Sequence, residues 1–190
     1  MTTTTVINGL SVQGIQDMVA MVKAQPNVAQ ATFSAATEWH DGFHNTAEVQ
    51  SFSLGGARNE VSRSQPFAIE GDHPAELLGT NHGPSSVELL LAALGHCISS
   101  GWATYGAVLG VSIDALRLDV EGDLDLQGML ALPELGAVPP GFQSLRVTYR
   151  VRSSAPLDQL EQVAKMAEEL SPTRHSLRAV EFSSRIEVER

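Results

Sequence analysis

The sequence contains very little cysteine: Cys97 is the one cysteine in 190 residues. A single cysteine cannot form an internal disulfide, which argues against the disulfide-rich scaffolds of small secreted proteins. The N-terminus, MTTTTVINGL, also lacks the basic start and the apolar block of a signal peptide. Both absences favour the cytoplasm.

Positive charge is scarce as well: 12 Lys and Arg stand against 22 Asp and Glu, for a formal net charge of -10. An acidic surface repels phosphate backbones and anionic bilayers, so we expect neither nucleic acid nor a membrane as a partner. Aromatic residues make up 5% of the chain and hydrophobic residues 43%. This composition is typical of a globular protein with a core of its own.

The longest stretch without charge, Leu89–Ile113, raises the question of a membrane span. It contains His96 and four glycines, and no Lys/Arg cluster of the kind that orients membrane helices flanks it. We therefore predict a buried helix over 87–109. A helix this apolar needs cover on most of its surface, which favours a dimer in which two such helices pack together.

Apolar residues at helical spacing predict two more helices, over about 11–23 and 156–170. Alternating or β-rich segments predict strands at 28–39, 45–54, about 63–70, after residue 110, at 142–152 and at the C-terminus. Asp41-Gly42 is expected to form the first hairpin turn. Because there is no repeated strand–helix–strand rhythm, we predict an α+β fold with antiparallel sheets, as a single domain over 1–190.

Motifs for cofactors and metals are absent from the sequence. There is no GxGxxG, P-loop or G-x-S-x-G pattern, so no cofactor is expected. The six histidines fall in different segments. His40 and His44 are four apart but in a predicted hairpin loop, so no metal site is predicted.

The helix over 87–109 carries both a capping signal and the thiol. Ser85 and Glu88 form an S-x-x-E capping box at its start. Cys97 lies on its apolar stripe, and taken alone such a cysteine is packing, because apolar burial raises its pKa and makes it inert. His96 points about 100° away around the helix and is not an obvious activator.

Four segments together resemble the OsmC/Ohr family of osmotically inducible and organic hydroperoxide resistance proteins: GTNHGPSSVELLLAALGHC, LDVEGDLDLQG, GFQSLRVTYRV and LSPTRHSL. The resemblance covers about residues 28–190 and leaves a helical extension over 1–25 outside it. It implies an intertwined homodimer with antiparallel sheets around long central helices. It also implies a peroxidase of the oxidative stress response, in which Cys97 attacks an organic hydroperoxide and becomes a sulfenic acid.

The sequence departs from the family pattern in three places. Ser171 stands where the family has its resolving cysteine, so turnover needs an external thiol reductant. The loop that carries the family's arginine reads EWHDGFHNT, in which His40 and His44 are the possible cations. Glu88 lies one place after the family's glutamate position, about 13.5 Å from Cys97 along the helix and on its opposite side. Arg58 and Arg63 could substitute for the arginine if the fold brings them close.

Three functions remain open on this reasoning. A one-cysteine peroxidase, which we favour, predicts a partly accessible Cys97 between two protomers with a cation within about 6 Å. A small-molecule-binding protein predicts a buried Cys97 and an apolar pocket, with Trp102 as a candidate binding residue. A redox sensor would report through oxidation of an exposed Cys97.

Overall fold

The computed structural model describes residues 5–59, 63–178 and 180–188. Helices α1 to α5 of these residues span Val12–Ala24, Ser86–Leu109, Leu126–Met129, Leu157–Glu169 and Pro172–Ser176. Strands β1 to β11 span Val6–Ile7, Leu10–Ser11, Ala31–Phe33, Ala36–Asp41, His44–Val49, Phe52–Leu54, Ala57–Asn59, Phe67–Gly71, Ala115–Asp123, Ser144–Arg152 and Glu181–Val188. Short 3₁₀ helices lie at Pro26–Ala29 and Ala75–Leu77.

The described strands form four sheets, in the orders β1-β2, β3-β6-β7, β4-β5-β8 and β11-β10-β9. Neighbouring strands are antiparallel in every pair but β10 with β11, which is parallel. The chain crosses from β10 to β11 through α4 and α5, as a parallel pair requires a long connection. The predicted α+β fold with antiparallel sheets is confirmed, with one parallel pair added.

The chain divides into two compact units. The larger unit comprises Met1–Gln13 and Leu91–Arg190, and the smaller unit comprises Gly14–Leu90. The boundary falls within the N-terminal part of α2. That residues 1–190 form a single domain stays a prediction.

The three long helices are confirmed to within one or two residues of their predicted ends, but two predicted strands are each broken in two. The segment 28–39 forms a 3₁₀ turn, β3 and β4, and the segment 45–54 forms β5 and β6. The two breaks lie opposite each other in the paired strands. Before the first break Phe33 pairs with Phe52 in one sheet, and after it Ala36 pairs with Glu48 in another. Composition alone cannot show such a break, since it depends on which strand each half finds as a partner.

The core of the larger unit lies between α2, β10 and α4. It is formed by fully or almost fully buried apolar side chains: Leu94, Ile98, Trp102, Leu145, Val147, Tyr149, Val151, Leu160, Val163 and Ala167. Gly101 allows α2 and α4 to approach closely, since a Cβ built there would lie 2.9 Å from the Ala167 Cβ. The close approach sets the position of Cys97, one helical turn before Gly101.

The charge-free segment forms most of α2 and the residues after it. Leu94, Ile98 and Trp102 are buried on one side of this helix, whereas Leu90 and Val108 are 36% and 50% exposed, so the prediction of a buried helix holds in part. None of the helices in the described residues is long and apolar enough to cross a bilayer.

The N-terminal extension contains a hairpin that the sequence analysis missed. Asn8 and Gly9 have φ values of 52° and 77° and connect β1 to β2, which is the geometry that Asn-Gly favours in two-residue turns. Asn8 Nδ2 donates to the carbonyls of Ala103 and Val111, at 3.3 and 3.0 Å, and its Oδ1 accepts from the Ile113 N–H. The β1-β2 hairpin is therefore tied to the C-terminal end of α2 and the residues that follow it.

Candidate thiol site

Cys97 is a free, half-buried thiol on α2. The hydroxyl of Ser171 donates a hydrogen bond to Cys97 Sγ, with the two atoms 3.0 Å apart. Ser171 is itself buried, with 2% of its surface exposed. The site is thus a thiol that solvent reaches in part, with a neighbouring hydroxyl held in place by packing.

The local sequence explains why Ser171 is at this position. Helix α4 ends at Glu169, and Ser171 is the N-cap of α5, where its Oγ accepts from the Arg174 N–H at 3.2 Å. Pro172 follows at the first helical position, which suits its fixed φ and its missing N–H. The Ser-Pro pair therefore starts a new helix and orients the hydroxyl toward Cys97.

The surroundings lower the pKa of Cys97. Burial raises the pKa of the thiol, but hydrogen bonds from the Ser171 hydroxyl, the Thr173 N–H and the Thr173 hydroxyl outweigh burial and bring it below its ordinary value. Donors to the sulfur favour the thiolate, which is the nucleophilic form. The sequence analysis did not identify Thr173. Because SPT starts a helix, the N–H of Thr173 has no acceptor within that helix, and this could have been inferred from the sequence.

The hypothesis of a peroxidase carried the expectation of a cation near Cys97. In the parts of the chain that the structure describes, the groups that lower the pKa of Cys97 are two hydroxyls and a backbone N–H, all of them neutral. The binding hypothesis carried the expectation of a buried thiol, whereas Cys97 is half-buried. The site combines features of both.

Glu88 takes part in capping α2. Its Oε2 accepts from both the backbone N–H and the hydroxyl of Ser85, each at 2.7 Å. The hydrogen bonds from the Ser85 hydroxyl and N–H hold the pKa of Glu88 below its ordinary value, against a small effect of burial. The carboxylate reaches back to the N-cap as a capping box requires, while the Ser85 hydroxyl binds the carboxylate instead of the helix backbone.

His40 and His44 lie on strands and not in a loop, so their predicted placement was wrong. The turn is confined to Gly42 and Phe43, and β4 and β5 extend up to it. His40 Nε2 is 2.8 Å from Thr46 Oγ1, and His44 Nε2 is 2.9 Å from Glu70 Oε2. Their proposed role as cations for the thiol stays a prediction.

The remaining candidates from the sequence, Arg58, Arg63 and Trp102, each contact other side chains. Arg63 lies over the rings of Phe52 and Phe67, at 5.1 and 5.5 Å from their centroids, and the Arg58 guanidinium donates to Ser51. Trp102 is fully buried, with its ring centroid 5.2 Å from that of Tyr149. Trp102 is therefore part of the core packing.

Comparison with known proteins is consistent with this fold. Residues 79–185, more than half of the chain, match the family model described as OsmC-like protein. The chain belongs to the OsmC family. The matched range of this OsmC-family chain includes both Cys97 and Ser171, whereas His40 and His44 lie before it. No curated protein matches the sequence.

Solved structures with the same fold include three OsmC-like proteins. One, from Mycoplasma pneumoniae, has a TM-score of 0.64 at 12% identity over 84% of this chain and 98% of its own. An OsmC-like protein of unknown function from Vibrio cholerae has a TM-score of 0.61 at 16% identity over 82% and 98%. An organic hydroperoxide resistance protein OsmC from Legionella pneumophila has a TM-score of 0.51 at 19% identity over 84% and 97%. At these identities the similarity establishes the fold.

Proposed function

We propose that this OsmC-family chain is a one-cysteine thiol peroxidase that reduces organic hydroperoxides, with Cys97 as the nucleophile. The observation that carries the proposal is the hydrogen bond from the Ser171 hydroxyl to Cys97 Sγ at 3.0 Å. Together with the two donors from Thr173 it lowers the pKa of a half-buried thiol. An inert packing cysteine would have its pKa raised by apolar surroundings instead.

The reaction follows from the chemistry of a thiolate. Cys97 S⁻ attacks the outer oxygen of the hydroperoxide, the O–O bond breaks, and the alkoxide leaves and takes up a proton to become an alcohol. The sulfur is oxidised to a sulfenic acid, and the peroxide is reduced by two electrons. Ser171 stabilises the thiolate before the attack through its hydrogen bond.

The sulfenic acid must then be reduced from outside the chain. Ser171 has no sulfur, so a first external thiol condenses with the sulfenic acid to a mixed disulfide and releases water. A second thiol attacks this disulfide, which restores Cys97 and leaves an oxidised external disulfide. Such thiols are kept reduced in the cytosol, which supports a cytoplasmic location for the reaction.

Peroxide treatment of the purified, reduced protein tests this function. With excess cumene hydroperoxide, we expect the single thiol titre to disappear within minutes, and with one equivalent we expect the intact mass to gain one oxygen. With a small dithiol present, peroxide should be consumed steadily, and Cys97→Ser should consume none. Ser171→Ala should raise the pKa of Cys97 and slow the first step by about 3- to 10-fold, because it removes one hydrogen bond to the thiolate.

A control and a contradicting outcome accompany this experiment. Ser176→Ala removes another hydroxyl from α5, one that donates to the Pro172 carbonyl, and should react at the wild-type rate. A thiol that stays unreacted for an hour in excess peroxide would exclude the peroxidase. Fast oxidation without steady turnover would instead indicate a redox sensor.

A second candidate function is the binding of a small molecule. A cavity of about 370 Å³ in the larger unit lies between α2 and β9, lined by Leu91, Ala92, Gly95, His96, Ser99, Leu118 and Val120. Its volume falls in the range of small-molecule sites, and its lining is mixed apolar and polar. This function is favoured if Cys97 proves unreactive in the peroxide experiment.

We also propose that the protein acts as a homodimer. The smaller unit exposes large aromatic side chains on its strands: Phe33, Trp39 and Phe67 are 71%, 69% and 61% exposed. Exposed aromatic side chains of this size support an interface. Sedimentation equilibrium should give twice the chain mass of 20.3 kDa, and Phe33→Asp with Phe67→Asp should raise the dissociation constant. A monomer at micromolar concentration would contradict the proposal.

A further inference from the structure

One cluster of side chains in the smaller unit has no role in the steps proposed above for Cys97. His40, His44 and Glu70 come from three neighbouring strands of the β4-β5-β8 sheet. Each offers one donor atom, and these three atoms all lie within 4.8 Å of one another. Two histidines four positions apart in sequence are thus brought together with a glutamate that lies 26 positions after the second of them.

The pairing of the strands explains why the three side chains meet on one face. Thr46 pairs with Glu70 across β5 and β8, so both side chains lie on the same face, and His44 lies two residues before Thr46 on that face. The register between β4 and β5 shifts between Trp39 and Asp41, which leaves His40 as the extra residue of a bulge. A bulge changes the direction of a side chain, and here it places the His40 ring 4.7 Å from that of His44.

Hydrogen bonds orient these groups toward Glu70. His44 Nε2 lies 2.9 Å from Glu70 Oε2. Thr46 donates to the same carboxylate and contacts His40 Nε2 at 2.8 Å, so the second imidazole is linked to Glu70 through a hydroxyl.

A second layer of residues supports the His44 ring. His82 stacks on it, with the centroids 4.5 Å apart and the planes inclined by 19°. His82 Nδ1 meets Thr80 Oγ1 at 2.7 Å, and Asp72, which is 2% exposed, accepts from the backbone N–H groups of Thr80 and His82. Supporting contacts of this kind fix the orientation of a ligating ring.

We propose that His40, His44 and Glu70 form a binding site for one divalent transition-metal ion, with Zn²⁺ as the best-matched ion. Two imidazole nitrogens and one carboxylate are a donor set that zinc accepts, with a water molecule completing the coordination. The donor set leaves that position accessible, since His40 and Glu70 are exposed at the surface of the sheet. The steps proposed for Cys97 do not require this ion.

Binding of a tetrahedral ion requires small shifts of the three ligand atoms. A tetrahedral ion with bonds of about 2.0–2.1 Å holds its ligand atoms about 3.3–3.4 Å apart. The three donor atoms lie within 4.8 Å of one another, and the distance of 2.9 Å between His44 Nε2 and Glu70 Oε2 would increase slightly when an ion binds between them. His40 is exposed, so its side chain has room to move toward the other two ligands.

Titration of the metal alone into untagged protein tests the site. The protein carries Cys97→Ser, so that the thiol cannot bind the metal. We expect one Zn²⁺ per chain by isothermal titration calorimetry, with a dissociation constant on the order of 1 μM or below. Co²⁺ should give the visible absorption bands of a four- or five-coordinate ion.

Variants identify the ligands. His40→Asn, His44→Asn and Glu70→Gln should each weaken Zn²⁺ binding by at least about tenfold, while His96→Asn, an exposed histidine on α2, should leave it unchanged. Circular dichroism checks folding, and if His44→Asn does not fold, the exposed His40→Asn decides the question. No saturable binding below 100-fold excess of Zn²⁺, or binding that survives the ligand variants, would overturn the proposal.

Discussion

Replacing Ser171 with cysteine is expected to convert the product of peroxide oxidation from a sulfenic acid into an intramolecular disulfide. The Ser171 oxygen lies 3.0 Å from Cys97 Sγ, and a C–S bond is longer than a C–O bond, so a sulfur at this position would lie closer still. A disulfide needs an S–S distance of about 2.05 Å, which is about 1 Å shorter than the present distance of 3.0 Å between oxygen and sulfur. With one equivalent of cumene hydroperoxide, the intact mass should fall by two hydrogens instead of rising by one oxygen.

The same variant should resist over-oxidation, because an intramolecular thiol at high effective concentration removes the sulfenic acid before a second peroxide attacks. Its first step should be slower than that of the wild type, since a thiol donates a weaker hydrogen bond to the thiolate than a hydroxyl does. Ser176→Cys is the matched control, with an added cysteine on the exposed side of the same short helix. If both variants gain oxygen without a disulfide, Ser171 does not occupy the resolving position.

Replacing Trp102 with alanine is expected to lower the free energy of unfolding by about 3–5 kcal/mol. Trp102 is fully buried at the centre of the larger unit, with its ring against Tyr149 and between α2 and β10. Removal of the indole exchanges these contacts for a cavity that the surrounding helices and strands cannot fill. The loss is a large part of the 5–15 kcal/mol that stabilises a typical domain. Urea denaturation followed by circular dichroism measures it.

Trp102→Phe provides the comparison for this substitution, because it keeps an aromatic ring in the core and should retain most of the stability. A cost below about 1 kcal/mol for Trp102→Ala would show that the side chain is not packed as described. The sequence analysis named Trp102 as a candidate binding residue, and a variant that remains stable while losing affinity for a ligand would support that role. A role of Trp102 in the core therefore predicts a loss of stability, whereas a role in binding predicts a loss of affinity.

The thiol site shows which features of a site can be predicted from local sequence and which cannot. Cys97 on an apolar helical stripe, and Ser171 at the start of a Ser-Pro helix, were both visible in the sequence. The distance between their side chains was not, because it depends on how closely α4 packs on α2 at Gly101 and Ala167. Without that distance, an activated thiol and an inert one have the same sequence pattern. The contribution of Thr173 was missed for the same reason.

The cluster of His40, His44 and Glu70 could be predicted from the sequence even less than the thiol site. The sequence analysis places His40 and His44 together in a predicted hairpin loop, as possible cations for the thiol, and does not connect Glu70 with them. Only the register of β4, β5 and β8, including the bulge at His40, places the three side chains together. A strand shifted by one residue would have moved His44 to the opposite face of the sheet.

The sequence by itself determined the class of the fold, the three long helices, the identity of the single thiol and the serine in place of a second cysteine. These features follow from composition, from apolar periodicity and from residue identity, which act over a few neighbouring positions. The tertiary structure decided which hydroxyls reach the sulfur, in which direction its pKa moves, and which strands bring two imidazoles to one carboxylate. Those outcomes depend on contacts between residues far apart in the chain, and such contacts exist only once helices pack and strands find their partners.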